Sequence, residues 1–367
     1  MLKAVIFHMD TMINTRENRK KKEILPVPGL ISLIKTLHRG GIFLAFVSSS
    51  SMAEIETLSK ALSITNFFDI FVSELDFTPM PAPDILLEIL SKLGVSFQES
   101  IVISGSQRCC LGAKAGNIPC IAYIHPDYKN ENLYSAMVAV ESMTVLSLSS
   151  IKDVLLRANG LPLTIIKTKR LLIRELALED IKPLYALYQH REIAKYTDNE
   201  KDTLAAATEK YRSYIKHMYP FYGYGLWGVF HKKTGALIGC CGIQNQFVDD
   251  KPEIELSYVV DPTYWRNGYA MEACKSILHF ANTELQMNRI VAAIDKDNLP
   301  SLCFAKKLGM HLEKDILYKK RICSLYVIQL ENERYINARN QVLEQYRQKP
   351  DTTVYGRRYF KSSQEKK

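Results

Sequence analysis

Across its first 158 residues the chain alternates short apolar runs with amphipathic segments, and that alternation restricts it to few folds. Residues 4–7, 42–47, 69–72, 100–103 and 118–124 have the composition of strands. Between them, residues 29–39, 52–62, 84–93 and 111–116 carry apolar side chains at helical spacing. Strand and helix in strict turn predict a parallel sheet with helices on both faces. The short basic segment 14–25 is expected to be a loop. A helix-like run ends at Asn159 and Gly160, which places the end of this first α/β domain at residue 158.

Beyond Lys169 the pattern changes. A strand at 170–176 and a helical stretch at 204–218 precede three strand-like runs at 225–231, 236–244 and 253–260. Turn residues at 233–235 and 249–252 make antiparallel hairpins the natural connection. A long helix at 268–285, a strand at 289–294, a helix at 300–308 and strands at 311–318 and 323–330 follow. The expectation is a mixed α+β domain over 159–332, then a basic C-terminal helix and tail over 333–367. A two-domain α/β chain also suits a length of 367 residues.

The composition, 47% hydrophobic and 24% charged, is that of an ordinary soluble protein. No stretch approaches the roughly 18 apolar residues of a membrane span, and the N-terminus lacks a basic region and cleavage site. A cytoplasmic protein with no membrane partner is expected. The eight cysteines show no metal or framework spacing, so buried reduced thiols and no metal are expected. The net charge of +9 is scattered, densest at 19–22, 319–321 and 356–367. It suits a polyanionic ligand; an acidic partner such as nucleic acid is the secondary reading.

The segment 264–273 runs from the strand 253–260 through an Asp261-Pro262 turn and a glycine loop straight into a helix. Such a junction turns the first N–H groups of the helix outward with the positive end of its dipole behind them. A diphosphate fits that arrangement, with Gly268 and Ala270 small enough for close approach. Trp265, Gly268, Tyr269, Ala270, Glu272 and Ala273 here resemble the acyl-CoA-binding loop of the GNAT superfamily. The likeness is to its RimJ/RimL-like branch, whose loop runs Tyr-Trp-Gly-Lys-Gly-Tyr-Ala-x-Glu-Ala; Arg266 and Asn267 stand in place of Gly-Lys. Thr168, Arg170, Leu171 and Arg174 resemble the family's opening strand, and Gly235, Leu237, Ile238 and Gly239 its hairpin. Glu255 to Tyr258 resemble Glu-Ile-Gly-Tyr, and Asn298, Ser301 and Lys307 to Met310 the late signature.

The resemblance implies a GNAT fold and transfer of an acetyl group from acetyl-CoA to an amine, either a protein N-terminus or a small molecule. It implies that the backbone of Arg266, Asn267, Gly268, Tyr269 and Ala270, beside Trp265, holds the pyrophosphate. Asn298 and Ser301 would bond the pantetheine arm or cap their helix. The acyl carbonyl would lie between the fourth and fifth strands of the domain. Glu255 matches the acidic position and would take a proton from the amine. Tyr258, further along that strand, is expected on the same face, lining an acceptor cleft shaped by 204–224 and 244–250. Ala305 stands where other members place a tyrosine acid, which leaves thiolate protonation to water or another group. The aromatic run 219–224 is expected to pack or to stack on substrate. A non-catalytic acyl-CoA-binding protein and a bifunctional enzyme with residual hydrolase activity are the alternatives.

In the first domain, Phe7, Asp10 and the residues around them resemble the first motif of the haloacid dehalogenase (HAD) superfamily, Phe-Asp-x-Asp-Gly-Val-Leu. Ser48, the segment 81–84 and the segment 112–116 continue the likeness in order and spacing, without the helical cap many relatives insert. It implies a HAD-like Rossmannoid sheet, but the departures fall on reactive positions. His8 stands where the family has its nucleophilic aspartate, Met80 where it has a lysine, and Gly105 where it has a metal-binding aspartate. No acid occurs between residues 100 and 126 to substitute. Phosphoryl transfer by that route needs both nucleophile and metal. The expectation is a pseudo-hydrolase retained as scaffold, partner surface or sensor.

Overall fold

The structure, a computed structural model, describes residues 1–18, 21–77, 82–126, 131–197, 203–249 and 251–330. The expected tail at 333–367, Met80 and the basic residues 19–20 lie outside the described residues. The chain divides into two compact units, one of residues 1–167 and 172–239, the other of residues 168–171 and those from 240 on.

The first unit begins with strand β1 (Ala4–His8), a hairpin of β2 (Ile13–Asn18) and β3 (Lys21–Pro26), and helix α1 (Leu30–Arg39). It continues through β4 (Phe43–Ser48), α2 (Met52–Ala61), β5 (Ile70–Ser73), α3 (Ala82–Leu93) and β6 (Ser100–Ser104). Helix α4 (Gln107–Ala115), β7 (Cys120–Tyr123), β8 (Val138–Val140) and α5 (Leu148–Ala158) complete the α/β part. Six of these strands form one sheet in the order β5-β4-β1-β6-β7-β8, and every pairing in it is parallel.

Alternation within the buried strands builds two cores. Val5, Phe7, Leu44, Phe46, Ile101 and Ile103 pack with α1 and α5 through Leu33, Ile34, Ile151 and Leu155. Ala4, Ile6, Ala45, Val47 and Val102 pack with α3 and α4 through Ile85, Ile89, Cys109 and Ala113. Neighbouring residues of a strand point to opposite faces, so strands apolar at every position need helices on both sides. Residues 14–18 and 21–25, expected as part of a loop, form paired strands instead, from Ile13 opposite Pro26 to Asn18 opposite Lys21. Charge density there concealed an extended pattern.

Past α5 come β9 (Thr164–Lys167), β10 (Leu171–Arg174), α6 (Ile181–Tyr188), α7 (Arg191–Ala194), α8 (Leu204–Tyr222) and β11 (Leu226–His231). Strand β9 was not expected from the sequence, and α8 continues through Pro220 beyond its expected end. Within the aromatic run, Tyr219 is buried and its hydroxyl accepts from Leu176 N–H and donates to the Leu226 carbonyl. Packing settles its role, whereas Phe221 is 79% exposed.

The rest of the chain supplies β12 (Leu237–Val248), β13 (Lys251–Val260), α9 (Tyr269–Thr283), β14 (Arg289–Asp295), α10 (Leu299–Lys307), β15 (His311–Tyr318) and β16 (Arg321–Gln329). The second sheet runs β15-β16-β14-β13-β12-β11-β10-β9. It is mixed: β13 and β14 are parallel, while β9–β10, β14–β16 and β15–β16 are antiparallel. The architecture is that of a two-domain α/β protein, a parallel Rossmannoid sheet followed by a mixed α+β sheet. Among the described residues no helix is long and apolar enough to cross a membrane.

One buried ion pair holds the connection after α5. Arg157 donates from Nε and Nη2 to Oε1 of Glu175 at 3.0 and 2.6 Å, and Leu163 N–H donates to Oε2 at 3.2 Å. Removing one partner of such a pair strands the other charge in a dry environment. Glu175→Ala is expected to cost about 3–5 kcal/mol, read as a lower urea midpoint with an unchanged slope. A loss within about 0.5 kcal/mol would show that the pair is solvated.

Candidate active site

The site is built from the junction between β13 and α9, and every residue described for it belongs to the second unit. Asp261 caps a single turn at Pro262–Tyr264, and Trp265 Nε1–H donates to the Val260 carbonyl at 2.6 Å. This bond ties the loop back onto the strand it leaves. Arg266 (φ 59°) and Gly268 (φ 78°) both take left-handed backbone, which coils the loop tightly before the helix. A side chain at Gly268 would meet only Arg170 Nη2, at 3.5 Å, so glycine serves the backbone angle rather than the space.

The helical ladder opens with Glu272 N–H bonding the Gly268 carbonyl at 3.0 Å. Gly268 has no side chain with which to cap the N–H groups ahead of that bond, those of Tyr269, Ala270 and Met271. They head the 15-residue α9 at the positive end of its dipole.

A latch fixes this loop. Glu272 accepts from Thr168 Oγ1 (2.6 Å), Arg170 N–H (2.9 Å) and Arg170 Nε (2.6 Å). The same guanidinium donates from Nη1 to the Asn267 carbonyl at 2.9 Å and lies 4.2 Å from the Tyr269 ring centroid. Burial works to raise the Glu272 pKa, but Thr168 and Arg170 outweigh it and hold the carboxyl below its ordinary value. Asn267 donates from Nδ2 to the Trp265 carbonyl at 3.0 Å. Thr168 and Arg170 entered the sequence reading only as markers of a strand; their part in the loop was missed.

Next to the cradle, β13 and β14 share a single parallel pair, Glu255 opposite Val291. Strands of ten and seven residues with one ladder position in common diverge on either side of it. Glu255 sits at that point, 7% exposed. Tyr318 O–H donates to its Oε2 at 3.1 Å, and the Ala293 N–H of β14 donates to the same carboxylate. Burial raises the Glu255 pKa; the Lys319 charge, Tyr318 and Ala293 oppose the rise without cancelling it. A carboxylate raised in this way is a stronger proton acceptor than an exposed one.

The structure separates Tyr258 from Glu255. Three positions apart on a strand is an odd spacing, and odd spacings point to opposite faces. The Tyr258 ring packs on Phe304 of α10 with centroids 4.5 Å apart, and its hydroxyl bonds Ser301. The expected shared face is therefore corrected: Tyr258 faces the helices. Burial, chiefly, pushes its pKa up. Asn298 Oδ1 accepts from Ser301 N–H at 3.2 Å, capping α10. Of the two roles open for Asn298, the structure shows the cap. Ala305 is buried in the core.

The HAD-like sheet has its own polar cluster at the ends of β1 and β4, in the first unit. Asp10 accepts from Ser48 Oγ and from Ser49 N–H, the latter at 3.0 Å from Oδ2. Buried His8 lies with Nε2 3.8 Å from Asp10 Oδ2 and 3.6 Å from Glu74 Oε1. Burial would raise Asp10, but His8, Ser48 and Ser49 hold its pKa below the ordinary value; His8 likewise lowers Glu74 against burial. Glu74, just past β5, lies outside the 100–126 segment in which the family places its metal-binding acid, so the sequence does not announce it. Gly105 N–H donates to Thr11 Oγ1 at 3.0 Å. A Cβ at Gly105 would stand 2.8 Å from Thr11 Cβ and 2.9 Å from the Tyr123 carbonyl oxygen, so no side chain fits the position. Among the described residues no group of three His, Cys, Asp or Glu is arranged to hold a metal ion.

Comparison with known proteins bears on both halves. Residues 170–311 match the acetyltransferase (GNAT) domain family, and residues 3–123 match the haloacid dehalogenase-like hydrolases. The chain is 31% identical over 150 residues to the uncharacterized protein YkkB of Bacillus subtilis, covering 41% of this chain and 86% of that protein. It is 30% identical over 151 residues to the uncharacterized N-acetyltransferase YnaD of the same organism, covering 40% of this chain and 83% of that protein. It is also 29% identical over 147 residues to the uncharacterized hydrolase YOR131C of Saccharomyces cerevisiae, covering 39% and 66%. The glycine cradle at the head of α9 thus lies inside a matched domain, and the chain belongs to the GNAT acetyltransferases, with a region matching the HAD-like hydrolases preceding the acetyltransferase domain.

Proposed function

We propose that this protein transfers an acetyl group from acetyl-CoA to a primary amine, a protein N-terminus or a small molecule. We assign the chemistry to residues 159–332 and a scaffold role without hydrolase turnover to residues 1–158, in the cytoplasm. The observation that carries this reading is the latched loop ahead of α9, whose N–H groups from Arg266 to Ala270 suit a diphosphate. Trp265, Asn267 and Tyr269 shape the loop, and Ser301 with Asn298 heads the neighbouring helix α10.

Acetyl-CoA supplies an activated thioester. The residues of this chain hold its diphosphate, place the thioester near the divergence of β13 and β14, and accept the proton lost by the amine. Glu255 is the base, and Tyr258 packs the helix side of the same strand. As the nitrogen attacks the carbonyl carbon, the carbon–sulfur bond breaks, the amine proton passes to Glu255 directly or through water, and CoA leaves as thiolate.

Acetyl-CoA at 100 times its dissociation constant should stabilise the chain by about 2.7 kcal/mol. Gly268→Ala, which puts a Cβ on left-handed backbone, should cost about 1 kcal/mol of stability and weaken acetyl-CoA about tenfold. Chemical denaturation with and without ligand measures both, and an absent ligand shift would favour a protein that has lost CoA binding.

Glu255→Gln should lower kcat about 10²- to 10⁴-fold with KM for acetyl-CoA little changed. The sign of the pH effect follows from the raised pKa. The base works ionised, so wild-type kcat/KM should fall as pH drops through a value above the ordinary carboxylate range. Acceptors can be screened by release of the CoA thiol from pH 5 to 9, and equal turnover by the Gln variant would remove Glu255 from the mechanism.

Hydrolysis of p-nitrophenyl phosphate with Mg²⁺ should be absent from the wild type. Restoring an acid at the family's metal position should fail on space alone: Gly105→Asp is expected to lose at least about 1–3 kcal/mol. Turnover that disappears in Asp10→Asn would instead establish a second active site.

A further inference from the structure

The turn between β15 and β16 is two residues long, with Tyr318 paired to Arg321 across it. Both turn residues, Lys319 (φ 47°) and Lys320 (φ 65°), take left-handed backbone that Asn-Gly adopts more readily. The cost of that backbone is accepted at a point where the hairpin meets Glu255. Tyr318 O–H reaches Glu255 Oε2 at 3.1 Å, and Lys319 Nζ lies 4.8 Å from the Tyr318 ring centroid.

We propose that this hairpin tip belongs to the catalytic apparatus, with Tyr318 and Lys319 acting as positioning residues that aim the Glu255 carboxylate and complement its charge. The inference rests on the reading of Glu255 as the base. Three kinds of element surround the carboxylate. From β14 comes the Ala293 N–H, from β15 and its turn come Tyr318 and Lys319, and from β16 comes the thiol of Cys323. Asp295 is occupied with Arg321 at 3.2 Å, and its charge is felt at Cys323. Lys319 is therefore the cation of this group that acts on Glu255, and Tyr318 the hydroxyl donor. A hydroxyl donor and a nearby cation both favour the ionised carboxyl, so they offset part of the effect of its burial. The carboxylate is thereby kept more readily ionised than burial alone would leave it.

Two substitutions separate this role from simple packing. Tyr318→Phe keeps the ring and removes the donor. Lys319→Asn removes the charge while suiting the left-handed turn better, so stability should hold or rise. The full-length chain labelled with ¹³C-carboxyl glutamate is titrated by NMR, with the Glu255 signal identified by its loss in Glu255→Gln. Each substitution should move the Glu255 midpoint upward by about one pH unit. The acid limb of kcat/KM, measured with acetyl-CoA and a peptide bearing a free N-terminal amine, should move the same way. Midpoints unchanged in both variants, with the fold intact, would overturn the proposal. Equal turnover by Glu255→Gln with shifted midpoints would support the hairpin's hold on Glu255 while removing the base reading beneath it.

Discussion

The carboxylate of Glu272 is the contact on which the acetyltransferase half depends. It gathers Thr168 and Arg170, from just ahead of β10, onto the first turn of α9. Without it, the guanidinium of Arg170 would lose the partner that aims it at the Asn267 carbonyl and the Tyr269 ring. A glycine loop that must present N–H groups to an anion cannot hold itself open, because its own backbone has little else to bond. The latch supplies that rigidity from outside the loop, through charge-assisted bonds that are short and directional. The acid serves as a brace, and the cation it holds stands beside the cradle rather than being neutralised far from it.

Burial raises both carboxylates of this domain, but their partners outweigh it at only one of them. Glu272 is surrounded by donors and lies below the ordinary pKa range, which suits a fixed structural charge. Glu255 has fewer compensating partners and is raised. The pattern of two acids pushed apart by their surroundings sets the brace at Glu272 apart from the residue proposed as the base. The HAD-like sheet carries a polar cluster of its own. His8 Nε2 stands 3.8 Å from Asp10 and 3.6 Å from Glu74, while its Nδ1 is buried without a hydrogen-bond partner among the described residues. Thr11, by bonding the Gly105 N–H, fills the room that a metal-binding side chain would need.

Much of this is legible in the sequence. The parallel sheet followed from strand and helix in strict turn, and the order of elements in the second half followed from helical and strand periods. The loop at Trp265 and Gly268 was legible as a junction because a strand end, a glycine and a helix start mark it, whereas Glu255 was singled out only by its likeness to the Glu-Ile-Gly-Tyr strand. What escaped were partners brought in from far along the chain. Tyr318 lies on a strand well after Glu255, Glu74 far from His8, and Arg170 far from Glu272. Nothing in a local window announces such meetings. The β2–β3 hairpin escaped because its charges outweighed its extended pattern, and the face of Tyr258 was misjudged where strand parity decides it.

The central claim is that backbone groups ahead of α9 grip the diphosphate of the acyl donor. A crystal structure of the full chain with CoA tests it most directly. The account predicts diphosphate oxygens within hydrogen-bond distance of the N–H groups between Arg266 and Ala270, with the Arg170–Glu272 latch intact. CoA bound with its diphosphate elsewhere, or a loop closed over by the Trp265 or Tyr269 side chain, would contradict it.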